Sequence, residues 1–377
     1  MPTLLVRAIA AAVLLGTALT PAPADAAPVV SPGRALFNDP LGDEDAQYAL
    51  VRHIDGRIDH ARPGATVRLA AYSFAMPSTA RALLRAFHRG VFVKVVVDQR
   101  SRDWGSVQRL RRTLGSDTDR RSFVRVCRES CRGSAGRQHA KFVTISRTDG
   151  ARRVVLVGSM NFTAFAARRQ WQDLYAASGD DRLFLQLRTL FRGMVRDTPQ
   201  PPLHLPPAGH GFQLSTAPDA RYDALRARLD RVRCRGTAAG TGVHGRSRIS
   251  ISMHAWNGPR GVALAHRVAL LRRHGCVVRV LAGVGFGRRV THVLRTAGVA
   301  YRDTTRAGPA THQKLMVLSG ILGRDRAASY VWPGSHNWSN QSLRHDEVVL
   351  RVAGPRTVAA YERNVGRIWR LTGRKPG

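Results

Sequence analysis

Apolar residues recur along the chain at two spacings, and the two alternate. At Leu83, Leu84 and Phe87, and again at Val268, Leu270 and Leu271, they return every three to four positions, which predicts amphipathic helices. Each helix is followed by a β-branched run, Val91–Val97 and Val277–Leu281, that is almost wholly apolar. Such runs predict strands buried on both faces, because a half-exposed strand would alternate with polar residues.

The same order appears twice. AAYSFAMPSTARALLRAFHRGVFVKVVVDQ (residues 70–99) and ISMHAWNGPRGVALAHRVALLRRHGCVVRVLAG (251–283) both read as strand, loop, helix, strand. A second pair of blocks follows. GRQHAKFVTIS (136–146) precedes RVVLVGSMNFT (153–163), and ATHQKLMVLSG (310–320) precedes SYVWPGSHNWS (329–339). The proline-rich TPQPPLHLPPAGHG (198–211) separates the copies and reads as a linker. The pattern predicts an α/β protein of two similar α-β-α lobes, residues 35–197 and 212–375, with mostly buried sheets flanked by helices.

The first residues, MPTLLVRAIAAAVLLGTALTPAPADAA, place Arg7 before an apolar run from Ala8 to Leu19, then prolines and Ala24-Asp25-Ala26. This predicts a signal peptide over residues 1–26 and a secreted, extracellular chain. The run is too short to span a bilayer as a helix. In an oxidising compartment Cys127, Cys131, Cys234 and Cys276 can form two disulfides in any of three pairings. Cys127–Cys131 with Cys234–Cys276 is favoured, since each bond then stays within one half. The cysteine spacing does not suit a metal site.

Among 377 residues, Lys+Arg number 60 against 25 acidic residues, a formal net charge of +35. That surplus would draw the chain to polyanions. Only four of the 60 are lysines, Lys94, Lys141, Lys314 and Lys375. The arginine skew fits GC-rich codon usage, so part of the charge reflects base composition; the arginine stretches 109–112 and 120–125 read first as solvated faces. Each lysine, by contrast, stands out.

Two of the four lysines sit in His139-x-Lys141 and His312-x-Lys314, each opening an apolar strand. Residues i and i+2 of a strand share a face, so each pair presents an imidazole beside an ammonium. Each pair is followed by a Gly-Ser turn, Gly158-Ser159-Met160-Asn161 and Gly334-Ser335-His336-Asn337, offering N–H, hydroxyl and amide donors suited to phosphate oxygens. Two matching copies in a duplicated chain argue for a shared role.

With these motifs the sequence resembles the phospholipase D superfamily, the HKD phosphodiesterases, over nearly all of the chain after the leader. The resemblance implies one site between the lobes, acting on a phospholipid or another phosphodiester without cofactor or metal. It implies His139 and His312 as catalytic, one attacking phosphorus and the other protonating the leaving group. Lys141, Lys314, Ser159, Asn161, Ser335 and Asn337 would hold the phosphate. Family members also carry an acid that orients each histidine; Asp173 and Glu347 fit that place, and Asp346 less well. His139 is preferred as nucleophile on the resemblance. Two positions depart from the family: Ser146 and Ser319 stand where it has Asp, with Asp149 and Asp325 nearby.

The expected activity is secreted phospholipase D-type hydrolysis through a phosphohistidine, with phosphatidyl transfer to alcohols as a companion reaction. The chain is expected to be a monomer making transient contact with membrane surfaces. A nuclease of the same superfamily is the alternative, favoured by the charge; a non-catalytic polyanion-binding protein is a third reading. Phe162, Phe165, Trp171, Trp256, Trp332 and Trp338 crowd the motifs as core, membrane rim or base-stacking platform. Gly283-Val284-Gly285-Phe286-Gly287 reads as a loop, since it lacks the partners of a phosphate-binding motif.

Overall fold

The computed structural model describes residues 32–219, 221–306 and 308–373; the leader expected at 1–26 lies outside them. The first lobe runs β1 (Arg34–Phe37), α1 (Glu44–Gln47), α2 (Ala49–Asp59), β2 (Thr66–Ala71), α3 (Pro77–His88), β3 (Phe92–Asp98), α4 (Gly105–Leu114), β4 (Phe123–Cys127), β5 (Phe142–Thr148), β6 (Ala151–Gly158), α5 (Ala164–Arg169), β7 (Gln170–Trp171), β8 (Asp173–Ala177) and α6 (Asp181–Arg196). The second runs β9 (Gln213–Ala217), α7 (Ala224–Asp230), β10 (Val232–Arg233), β11 (Arg248–Trp256), α8 (Gly258–Arg273), β12 (Val277–Phe286), α9 (Arg288–Thr296), β13 (Ala300–Asp303), β14 (Ala310–Thr311), β15 (Lys314–Leu322), β16 (Asp325–Trp332), β17 (Glu347–Ala353) and α10 (Pro355–Leu371).

The two sheets have one topology. The first is ordered β1-β8-β6-β5-β2-β3-β4, and the second, read from its far edge, β9-β17-β16-β15-β11-β12-β13. In each, three parallel strands (β2, β3 and β4; β11, β12 and β13) join an antiparallel set. The buried β-branched runs form the central parallel strands, as expected from their lack of alternation.

Helices cover both faces. α6 buries Leu183, Phe184, Leu187, Leu190, Phe191 and Met194, a stripe at helical spacing, and Asp180 caps it by accepting from Leu183 N at 2.7 Å. α10 buries Val358, Tyr361, Val365 and Ile368 in the same way. Both stripes enter one apolar cluster that crosses from lobe to lobe. The lobes are also joined through main chain, because β7 pairs in parallel with β14, Gln170 with Ala310 and Trp171 with Thr311. Cys127–Cys131 and Cys234–Cys276 are bonded.

One expectation needs correcting, and one set of alternatives is decided. Residues 283–286 are not a loop but the end of β12, where Gly283 lets the strand pass against Thr311 O and His254. Of the six aromatics near the motifs, Phe162, Trp171, Trp256, Trp332 and Trp338 are buried core, and Phe165 alone is exposed. Among the described residues no helix is long and apolar enough to cross a membrane.

Candidate active site

The site forms where the parallel strands end. His139 and Lys141 lead into β5, beside the last residues of β2; His312 and Lys314 lead into β15, beside the end of β11. All four are buried, with His139 and His312 only 7% and 5% exposed. Each histidine is fixed by the opposite lobe. The N–H of His139 donates to Asp346 O at 3.1 Å, and that of His312 to Trp171 O at 2.9 Å.

The side chains repeat this crossing. His139 Nδ1 lies 2.9 and 3.0 Å from the two oxygens of Glu347. His312 Nδ1 lies 3.0 Å from Gln172 Oε1 and 3.1 Å from Ser159 O. Asp173, expected in that place, is not the partner of His312. It is the next residue along the chain, so its side chain leaves the opposite face, where Oδ2 accepts from Tyr361 Oη at 3.3 Å. The main chain confirms the register: Ser159 N donates to Asp173 O, Ser335 N to Val348 O. Asp173 thus matches Val348, and Gln172 matches Glu347.

Ser159 and Ser335, expected on phosphate, are wholly buried and act one layer behind it. Ser159 Oγ donates to Gln172 Oε1 at 3.1 Å and accepts from Asp173 N at 3.1 Å. Ser335 Oγ donates to Glu347 and accepts from Val348 N at 3.0 Å. They position the residues that position the histidines. Asn161 and Asn337 each have a buried Oδ1 with no protein partner; in the expected role it is their Nδ2 groups that would donate to phosphate oxygens. Asp346 faces away from the histidines and accepts from Cys131 N.

Each lysine folds back onto its own motif, with Lys141 Nζ 2.7 Å from His139 O and Lys314 Nζ 2.7 Å from His312 O. Lys314 Nζ is also 3.2 Å from both ring nitrogens of His312. This crowding of cations away from water sets the titration. Burial, then Lys141 and Lys314, hold His139 well below the ordinary histidine value. Burial, then Lys314, does the same for His312. Burial lowers Lys141 to about 7 and pushes Glu347 up to about 8. A phosphodiester anion entering the seam would favour the protonated form of every one of these groups.

Two rings complete the site and were missed in the sequence. Tyr72 and His254 occupy matching places at the ends of β2 and β11. The Tyr72 ring packs on His139 at 4.7 Å, edge to face, and His254 on His312 at 4.3 Å. Arg100 sits over Tyr72 and donates to its hydroxyl at 2.6 Å. Burial and the two lysines lower His254 to about 3. Their signal was present: Tyr72 directly follows β2 and His254 lies near the end of β11, in AAY and SMH.

The serines at the family's Asp positions lie outside the site. Ser146 is five residues beyond Lys141, roughly 16 Å along an extended strand, and accepts from Thr66 N at 2.9 Å; Ser319 accepts from Gly242 N at 2.9 Å. Asp149 pairs with Arg62 and Asp325 accepts from Tyr330, both at the surface.

A duplicated α/β fold thus brings two His-x-Lys pairs together at one seam. Residues 54–195 match the family model described as "Cardiolipin synthase, PLD-like domain". The first lobe thus carries a phospholipase D-like domain, and the second lobe repeats its topology. Among solved structures it is similar to phosphatidylserine synthase of Haemophilus influenzae, with a TM-score of 0.60 at 12% identity over 90% of this chain and 86% of that one. Polyphosphate kinase of Porphyromonas gingivalis gives 0.58 at 15% identity over 89% of this chain and 50% of that one, so this chain spans about half its length. A yeast tyrosyl-DNA phosphodiesterase gives 0.50 at 10% identity, covering 85% and 90%. No curated protein sequence matches the chain. At these identities the structural likenesses concern the fold.

Proposed function

We propose that the protein is an exported phosphodiesterase working by two displacements at phosphorus. The observation that carries this is the pair of histidines gripped at Nδ1 across the seam, so that each would react through Nε2, that of His312 lying 3.2 Å from Lys314 Nζ. His139 Nε2 attacks phosphorus as the bond to the leaving oxygen breaks, and His312 gives that oxygen its proton. Water then attacks phosphorus, the N–P bond breaks, and the proton of water passes to His312. Lys141, Lys314, Asn161 and Asn337 hold the phosphate oxygens.

The unequal partners support these roles. Glu347, able to ionise as His139 takes on charge, makes His139 the more basic ring and stabilises the cationic phosphohistidine. A neutral amide oxygen leaves His312 the stronger acid. Export rests on the leader sequence and the two disulfides.

Of the substrates weighed, a single nucleic-acid strand has the most support around the site. Matching grooves of about 280 and 410 Å³ lie at the ends of β3 and β4 and of β12 and β13. Arg102, Arg111, Arg125 and Arg128 line one; Arg288, His292, Arg295 and Arg306 line the other. A polyanionic chain crossing the seam would meet cations on both sides of the reacting phosphate. Phospholipid headgroup cleavage is the second reading, supported by Phe165 and Val284, exposed apolar residues near the motifs of each lobe.

The test is turnover in EDTA on single-stranded DNA and on phosphatidylcholine vesicles with one preparation. His139→Ala and His312→Ala should each lower turnover by about 10³-fold or more. Near-normal turnover in either variant overturns the two-histidine mechanism. Choline release without DNA cleavage overturns the nucleic-acid reading.

A further inference from the structure

The duplication provides an internal control for a cationic cluster far from the histidines. On the face of the first sheet covered by α6, Arg68 of β2 is register partner to Lys94 of β3 and to Thr144 of β5. Arg188 and Arg192, one turn apart on α6, lie over them and are the charges that act on Arg68 after burial. Burial, Arg68 and Arg192 act on Lys94. No carboxylate is among the causes for either group, and no ion pair involves any of the four cations among the described residues.

The second lobe resolves the same situation differently. Ser250 stands where Arg68 does, and Arg279, its register partner, where Lys94 does. Arg279 donates through Nε to Ser250 Oγ at 2.8 Å and through Nη2 to Glu362. Arg248 approaches Glu362 at 3.6 Å. Glu362 is the eighth residue of α10, and Arg188 is the eighth of α6. Where one lobe carries the neutralising carboxylate, the other carries a further cation.

We propose that Arg68, Lys94, Arg188 and Arg192 form a second binding site, for a phosphate-type dianion, distinct from the catalytic seam. Like charges gathered in partial burial repel, and a dianion reverses the sign of that interaction. Guanidinium forks suit tetrahedral oxyanions, and Lys94 adds a point charge, held 5.2 Å over the Phe123 ring. Two donors point to a ligand independently of the charge. Arg188 Nε and the Thr144 hydroxyl are buried without a protein partner, and Thr144 is wholly buried. Arg192, exposed, gives the site an open side. The cluster lies roughly 13 Å along β2 from Tyr72, four residues at ~3.3 Å each, so it does not share the reacting phosphate. The inference does not depend on the proposed activity.

The test is calorimetric titration with inorganic phosphate, alongside thermal melting in phosphate and in chloride at equal ionic strength. Wild-type protein should bind at the cluster as well as at the seam. Arg188→Glu, which installs the second lobe's solution, should weaken cluster binding at least tenfold. It should raise the melting temperature without phosphate and leave turnover unchanged. Arg192→Gln, at the exposed edge where packing is not disturbed, should weaken binding at least threefold. A Lys314→Met variant, altered at the seam, should keep the cluster's phosphate response; a response lost there and kept in Arg188→Glu would place all binding at the seam and overturn the proposal. Equal phosphate binding in wild type, Arg188→Glu and Arg192→Gln would also overturn it. Titration with a 5′-phosphorylated and an unphosphorylated oligonucleotide separates the sources: competition by both assigns the site to backbone phosphate, and competition by neither assigns it to the free dianion.

Discussion

At the scale of the residue, one amide divides the labour between two similar histidines. Gln172 cannot carry charge, while Glu347 can, so the rings that face one phosphate are not equivalent. Replacing Gln172 with Glu should raise the affinity of His312 for its proton. Since His312 acts protonated in the first step, the alkaline limb of the pH–kcat profile should move up by about one pH unit. An unmoved limb would place the acid elsewhere. Asp173 gives the complementary case. Burial pushes it up to about 6, so the folded state holds its proton where the unfolded chain has released it. Its contribution to stability is therefore lost as pH rises from about 4 through 6. Asp173→Asn should raise the melting temperature at pH 7.5 and not at pH 4, with turnover kept. Both histidines, both lysines, both asparagines and Glu347 were legible in the sequence as motif positions. Gln172 was not, because it was sought as a carboxylate and because the spacing differs: 13 residues separate it from Ser159, and 12 separate Glu347 from Ser335.

At the scale of the element, the Gly-Ser turns set how closely strands may approach. A Cβ on Gly158 would lie 2.2 Å from Asp173 O, and one on Gly334 2.2 Å from Val348 O. Each turn must therefore be glycine for its serine to meet the neighbouring strand and brace Gln172 or Glu347. Gly334→Ala should cost about 1–3 kcal/mol in urea unfolding, as overpacking does, and should lower turnover further than the lost stability explains. Unaltered kcat with lowered stability would make the turn purely architectural. The strands and helices themselves were legible, since apolar periodicity decides them locally. The extension of β12 through glycines was not, because no local propensity favours it; the strand persists by pairing with β11 through Ala255–Gly285 and Trp256–Phe286.

At the scale of the whole molecule, the repeat disclosed two lobes, yet the crossing of their contacts is visible only once both are folded together. The disulfides act at this scale with unequal leverage. Cys234–Cys276 spans 42 residues and Cys127–Cys131 spans four. On chain-entropy grounds, replacing the first pair with serines should cost about 4 kcal/mol and the second about 2. Chemical unfolding of the two double variants measures the difference, and an equal loss would show that strain or packing outweighs loop length. The crossing has a hereditary consequence as well. After a gene duplicates, its halves are usually free to drift apart. Here the partner of each histidine is encoded in the other half, so a change at position 172 is felt by His312 and one at 347 by His139. The halves can diverge along their outer grooves and outer faces, but at the seam they must evolve as correspondents, each substitution in one answered by the other.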